Sequence, residues 1–352
     1  MITRKDIAQK AGVSVSVVSR ALNNSGYVEG NKRKLILEIA DTLNYRPNPV
    51  AMSLQKQRTK QILFYSKDLN NAFNIEMYEG MIEEAEKNGY IVVINGKINF
   101  DRVRNLMIDG IILPNQQLTA EYLETVGKHY YLPVVAAAYG DNVFFSKAVP
   151  IVECNFLQET KNALQYLRKR GHRKIAMVIP YDFNTNNTRA MAWKEFMEEE
   201  LGDRLKDYFL GISKSGLNND KRTLQFLEEQ SEDPMHIPES FFEKGMLAAE
   251  ILVERKLNAT AVLCFNDEMA LGFAKRIKQL GYKVPDDLSI MGIDGVSTRK
   301  YMEPELTTLS LQPKVMGAKC VKVLLSILMK KKVKYVTHIP TKIIEGESVR
   351  SL

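Results

Sequence analysis

The chain has 352 residues, 45% of them hydrophobic and 26% charged, which is too long for one ordinary core and predicts a small module with a two-part larger body. Three widely separated cysteines (Cys154, Cys264, Cys320) and four histidines without ligand spacing argue against a disulfide framework, a metal site or any other resident cofactor. No charged start runs into a long apolar stretch, and no apolar run approaches about 18 residues, so the expectation is a reduced, cytoplasmic protein outside the membrane.

The charge is unevenly placed. Residues 1 to 60 hold eleven Lys/Arg against four Asp/Glu, so the whole formal net charge of +7 falls there and the remainder balances. A basic module on a neutral body is the electrostatic footprint of a nucleic-acid binder, because neutralised phosphates release condensed counterions.

The first stretch patterns as two short helices meeting at a tight turn. Ile7, Ala8 and Ala11 recur at helical spacing, Gly12-Val13 interrupts, and Ser14 caps a second helix whose Val17, Val18 and Leu22 face back. After Asn23-Asn-Ser-Gly-Tyr27, a third helix carries a stripe of Leu35, Ile36, Ile39, Ala40 and Leu43. In a helix-turn-helix the second helix enters the major groove, so Val15 and Ser16, with Arg20 a turn later, are candidates for base contact. Arg20 suits a guanine edge or a phosphate. Thr3, Ser14, Ser19, Asn23 and Tyr45 are better suited to phosphate positioning or capping than to reading sequence.

Asn48 can cap, and Pro49 can open, a two-turn helix to Lys56. Isolated helices of fewer than about 12 residues are marginal in water, so it needs an external support such as DNA and a paired copy. Val50, Ala51 and Leu54 share a face, and Leu54 could act as an apolar wedge in the minor groove; the other reading is a plain linker.

Together Asp6-Ile-Ala, Ala11-Gly-Val-Ser14, Val18-Ser-Arg20, Leu22-Asn23, Leu43-Asn-Tyr45, Pro47-Asn48, Ala51 and Leu54 resemble the LacI/GalR family of bacterial transcriptional regulators. The resemblance implies a homodimer on an operator of two inverted half-sites. It also implies paired hinge helices in the minor groove, with Leu54 as the intercalating leucine and Val15 and Ser16 as the main base-reading positions.

From Gln61 onward, apolar runs alternate with amphipathic stretches such as 76–88. Residues 62–65, 90–94, 110–113, 134–137, 174–179, 261–264 and 288–292 have the pattern of buried parallel strands, which predicts two doubly wound sheets with a ligand cleft between them. Gly80, Asp109-Gly-Ile-Ile112, Gly171-His-Arg173, Asn266-Asp267, Gly292-Ile-Asp294 and Leu306-Thr-Thr308 are similar to the family's periplasmic-binding-protein-like core. The expected organisation is therefore an all-α helix-turn-helix domain (1–47), a hinge (48–60) and an α/β core (61–352). That core should divide into an N-subdomain of about 61–159 plus 294–322 and a C-subdomain of about 160–293 plus 323–352.

Polar residues at strand ends mark the candidate cleft. Asn71 lies in the loop after the first strand. From the family, Phe73, Arg189, Asp267 and Asp294 are carried over as effector-lining positions, and Trp193 suits either a stacking platform or the core. Asn71-Ala-Phe-Asn74, Cys154-Asn155, Arg189-Ala-Met-Ala192 and Gly292-Ile-Asp-Gly295 depart from the family pattern, with one carboxylate and one aromatic lost. The segment between Asn95 and Asp109 is short, which abbreviates the helix after the second strand. The expected effector is a sugar or sugar derivative; the alternatives are a nucleobase or nucleoside, or a phosphoprotein co-repressor docking at Arg299-Lys300. A soluble solute-binding protein is the reading of another class. No Gly-x-Ser-x-Gly or phosphate-loop motif supports an enzyme.

Overall fold

A computed structural model describes residues 2–46, 58–97, 99–126, 132–138, 149–215, 225 and 238–352. The chain divides into two units at Thr59 and Lys60. The expected hinge helix, with Asn48, Ala51 and Leu54, lies outside the described residues.

The first unit holds α1 (Arg4–Ala11), α2 (Val15–Leu22) and α3 (Gly30–Thr42). Thr3 opens α1 by donating its backbone N–H and its hydroxyl to the Asp6 carboxylate, at 2.7 and 2.8 Å. Gly12 ends it at φ +62°, a left-handed turn open to a residue without Cβ, and Ser14 Oγ then accepts from Val17 N to start α2. Ile7, Ala8, Val18, Ala21, Ile36 and Ala40 form the buried centre. Leu35 departs from the expected stripe: it is 45% exposed, because it sits one 100° step away from the face that Ile36, Ile39, Ala40 and Leu43 share.

The second unit contains two six-stranded sheets. The first is built from β1 (Gln61–Tyr65), β2 (Ile91–Asn95), β3 (Gly110–Leu113), β4 (Val134–Ala138), β5 (Ile151–Glu153) and β11 (Val336–His338), in the all-parallel order β11-β5-β4-β3-β1-β2. The second is built from β6 (Ile175–Ile179), β7 (Phe209–Gly211), β8 (Ala261–Cys264), β9 (Ser289–Asp294), β10 (Thr307–Ser310) and β12 (Lys342–Ile344). Its order is β12-β10-β9-β8-β6-β7, with only β12 antiparallel. Strands buried on both faces require apolar side chains in both directions, which is why β3, β6 and β8 are continuous apolar runs.

Helices α4 (Ala72–Glu86), α5 (Gln116–Val126) and α10 (Pro313–Leu328) belong to the first lobe. Helices α6 (Phe156–Lys169), α7 (Thr188–Leu201), α8 (Phe241–Glu254) and α9 (Asp267–Gln279) belong to the second. Helix α4 begins four residues before the expected 76 because Asn71 Oδ1 caps it, accepting from Asn74 N at 3.2 Å. Among the described residues after β2, a 3-10 helix, Phe100–Asn105, crosses back, in keeping with the short 95–109 segment.

The chain passes between lobes three times: after β5, after β10 and between β11 and β12. These crossings differ from the expected exchange at 294 and 323. Residues 307–310 pair with β9 in the second sheet, whereas α10 and β11 return to the first lobe. The polar Thr307-Thr308 pair hid β10, but both are fully buried and their strand extends the second sheet.

Candidate nucleic-acid interface and ligand cavity

On the three-helix unit, α2 turns Val15, Ser16 and Arg20 outward, with Val15 40% exposed despite its apolar side chain. Arg20 Nε donates to the Ser16 carbonyl at 3.4 Å, which lays its guanidinium along the helix. Ser14 and Ser16 hydroxyls meet at 2.9 Å. Ser19 Oγ accepts from Arg4 Nη1 at 3.1 Å, which braces α2 against α1, and from Asn23 Nδ2 at 3.3 Å at the end of its own helix. Tyr45 packs on the core and donates its N–H to the Ala40 carbonyl. Val15, Ser16 and Arg20 thus form one set exposed along α2, and Thr3, Ser14, Ser19, Asn23 and Tyr45 a second set whose groups cap or brace the helices, Thr3, Ser14 and Asn23 being exposed as well. Arg4 belongs with the second set, and sequence reasoning missed it.

Between the two lobes, strand ends enclose a cavity of about 170 Å³. Among the described residues four aromatic rings line it: Phe73, Tyr181, Phe241 and Phe265. Phe265 stands edge-on to Tyr181 at 5.6 Å between centroids and tilted to Phe241 at 5.8 Å. Asn71, Asn115, Gln117 and Asn266 add amides. Three of these are helix caps: Asn71 for α4, Asn115 for α5 by accepting from Leu118 N at 2.8 Å, and Asn266 for α9 by accepting from Met269 N at 2.8 Å. Each spends its carbonyl oxygen on a helix start.

The cavity's charged pair is Arg189 and Asp294. Arg189 enters from the first turn of α7, its side chain 3% exposed, and Nη2 stands 3.8 Å from Asp294 Oδ1. Its Nη1 donates to the Phe265 carbonyl, and the guanidinium lies over the Phe265 and Phe156 rings at 4.4 and 5.0 Å. Asp294, the last residue of β9, has φ +133°, a conformation that costs an L-residue on the order of 1–3 kcal/mol. Burial pushes its carboxyl well above the usual carboxylate range; Arg189 opposes this, while Asp267, Glu268 and Glu76 add to it.

Two candidates fall elsewhere. Asp267 is fully buried but does not line the cavity. Its carboxylate accepts from Gly295 N at 2.8 Å, Val296 N at 3.0 Å and Thr308 Oγ1 at 2.5 Å, so it holds the loop that follows Asp294. Burial raises its pKa and these three donors oppose the rise. Trp193 is core: it is fully buried, packed on Phe209, with its indole N–H on the Ile175 carbonyl at 3.1 Å. Its side chain lies against β6 and does not line the cavity.

Arg299 is not an open docking point either. It is buried, paired with Glu305, and also donates to the Leu306 carbonyl, which commits its guanidinium to the fold. Of the sequence candidates, Asn71, Phe73, Arg189 and Asp294 come together at the cavity. Asn266, which follows the strand ending at Cys264, also lines it; Tyr181, Asn115 and Phe265 were missed, yet all three stand one or two residues beyond a strand's carboxyl end, the rule that locates ligand sites in such sheets. Phe241 and Gln117 sit on helices and carry no such signal.

Residues 3–48 match the family described as bacterial regulatory proteins, lacI family, and residues 164–349 match the periplasmic binding protein-like domain. The HTH-type transcriptional repressor PurR of Vibrio atlanticus (strain LGP32) is 29% identical over 362 residues, spanning 100% of both chains. Catabolite control protein A of Priestia megaterium is 30% identical over 322 residues, which cover 89% of this chain and 88% of that one. The crystal structure of the Lac repressor dimer bound to operator and the anti-inducer ONPF has the same fold, with a TM-score of 0.71, 20% identity and 99% of each chain covered.

Proposed function

Because this chain belongs to the LacI/GalR family of bacterial transcriptional regulators, we propose that it represses transcription as a cytoplasmic homodimer, on an operator of two inverted half-sites, under control of a small molecule in the cleft. It is a DNA-binding regulator and not an enzyme. The observation that carries the DNA reading is the outward set on α2, Val15, Ser16 and Arg20, on a unit whose ten Lys/Arg against four Asp/Glu hold six of the seven excess positive charges. These three read base edges, while Thr3, Ser14, Ser19, Asn23 and Tyr45 position the unit on phosphates. Asn48, Ala51 and Leu54 form the hinge helix that enters the minor groove.

Dimerisation is supported by β2, an edge strand that turns Ile91 and Val93 outward, 57% and 39% exposed. A second copy would cover such a face. The effector binds among Phe73, Asn71, Arg189 and Asp294, the last two from opposite ends of the second lobe's sequence. By preferring one arrangement of the lobes it biases hinge ordering on DNA; coupling of about 1 to 3 kcal/mol corresponds to roughly 5 to 150-fold in DNA affinity.

A gel shift on an inverted-repeat operator, selected from a random library with the intact chain, tests the proposal. The intact protein shifts the duplex and Leu54→Ala weakens the shift; selection that enriches no inverted repeat overturns the reading.

A further inference from the structure

The cavity's charges are already balanced within the protein. Among the described lining residues Arg189 is the sole cation, and its guanidinium is committed three ways: to Asp294, to the Phe265 carbonyl and to two ring faces. The wider surroundings are acidic. Asp294 feels Asp267, Glu268 and Glu76, and Glu268 in turn feels Asp68. Lys244, on the helix that supplies Phe241, is itself drawn to Glu239 and Glu268.

The amino-terminal ends of α4, α5 and α9 also reach this cavity, and their dipoles would draw an anion. Each, however, is capped by an asparagine whose oxygen takes the N–H of the third helical residue, Glu268 sits in the opening turn of α9, and Glu76 lies one turn into α4. Each cap also turns the other branch of its side chain, an amide NH2 that donates, toward a ligand in the cavity. The volume of about 170 Å³ is of the order of the ~150 Å³ cavity that holds a benzene-sized ring.

Resting on the effector reading above, we infer that the cleft selects an uncharged, single-ring ligand rich in hydrogen-bond acceptors and rejects its phosphorylated or carboxylated relatives, because Asp294 neutralises Arg189 inside the cavity. The aromatic walls supply the ring faces, and Asn71, Asn115 and Asn266 supply donors from both lobes. An anion entering here must displace Asp294 from Arg189 and leave that carboxylate buried among others of like charge. Uncharged monosaccharides and pyrimidine bases share the required chemistry.

The test uses the full chain and calorimetric titration with matched probes: glucose against glucose 6-phosphate and glucuronate, ribose against ribose 5-phosphate, and uracil against its carboxylated relative orotate. The expected result is saturable binding by an uncharged member, with its anionic counterpart at least tenfold weaker; the sugar and nucleobase arms identify the source. Anionic members binding as well as their uncharged partners would overturn the inference while leaving the effector reading in place.

A second arm needs no cognate ligand. Asp294→Asn keeps the side chain's shape, and asparagine accepts positive φ more readily than most residues. It frees Arg189 from its counter-charge. Inorganic phosphate, compared with potassium chloride at equal ionic strength, should raise the Tm of this variant and not that of the parent. A D294N protein indifferent to phosphate would refute the internal neutralisation. If no probe binds the parent but D294N gains phosphate, the charge inference stands and the effector reading fails.

Discussion

Gly80 and Gly317 hold α4 against α10 through bare backbone: a Cβ on Gly80 would lie 1.9 Å from the Lys314 carbonyl oxygen, and one on Gly317 1.8 Å from that of Met77. The second lobe repeats the device, with Gly245 against the Met269 carbonyl at 2.1 Å and Gly272 against that of Phe242 at 1.8 Å. In each case the opposed carbonyl lies three residues before the partner glycine, one turn down the helix. The obstacle is main chain, which cannot rotate away, so an added methyl must push the helices apart. Gly80→Ala is expected to destabilise the core by about 1–3 kcal/mol, as overpacking does, read from the urea midpoint; an unchanged midpoint would contradict this packing.

Asp267 shapes the cavity from outside it. Removing its carboxylate strands two buried N–H groups and the Thr308 hydroxyl, so Asp267→Ala should lower stability by about 3 kcal/mol or more in denaturant titration. Asp267→Asn, which keeps one acceptor oxygen, should fall between. Equal stability of all three proteins would show that the 295–296 loop has another support.

His172 makes stability depend on pH. It is fully buried, with Nε2 3.0 Å from the Arg350 carbonyl and Nδ1 3.0 Å from the Thr260 hydroxyl, so the neutral ring donates to the former and accepts from the latter. Burial lowers its pKa, with the Arg350 carbonyl opposing. Below about 6.5, the ordinary imidazole value, the unfolded chain therefore takes up a proton that the folded one refuses, and stability is lost as the pH falls. Asp267 and Asp294 act in the opposite sense, since their raised values let the folded state take up protons first. Comparing the Tm of the parent with that of His172→Gln isolates the imidazole: the parent should lose more between pH 7 and 5.5. Parallel curves would refute this assignment.

The two sets of residues on the three-helix unit should separate in a selection experiment. Ser16→Ala is expected to relax base preference at one position of each half-site by about 1–3 kcal/mol. Ser14→Ala should instead cost about 1 kcal/mol of folding stability and leave the preferred sequence unchanged. A changed preference in the Ser14 variant would move that residue among the readers.

The sheets were legible where burial on both faces demanded continuous apolar runs, as in Ile175–Ile179 and Ala261–Cys264. Strand β10 was not, because its threonines are buried by satisfying neighbours: Thr308 donates to Asp267, and Thr307 accepts from Gly346 N. Nor were the three-residue strands β5, β7, β11 and β12, which are too short to show a period. Asp267 illustrates the limit within the site. An acidic residue beyond a strand end can face the ligand or turn back to bind the next loop, and only the register of Thr308 beside Gly292 on β9 decides for the latter. Arg189 and Asp294 both line the cavity, but their engagement with each other needed three-dimensional proximity between residues 105 positions apart.

The one tryptophan of the chain lies in the second lobe, sealed between α7 and β6 and away from the cavity lining. Its emission therefore watches one lobe while remaining blind to the other and to the helix-turn-helix. Set beside circular dichroism, which sums every helix, a fluorescence melt becomes a clock for the order of events: any gap between the two curves measures how far the rest of the molecule loosens before the second lobe yields.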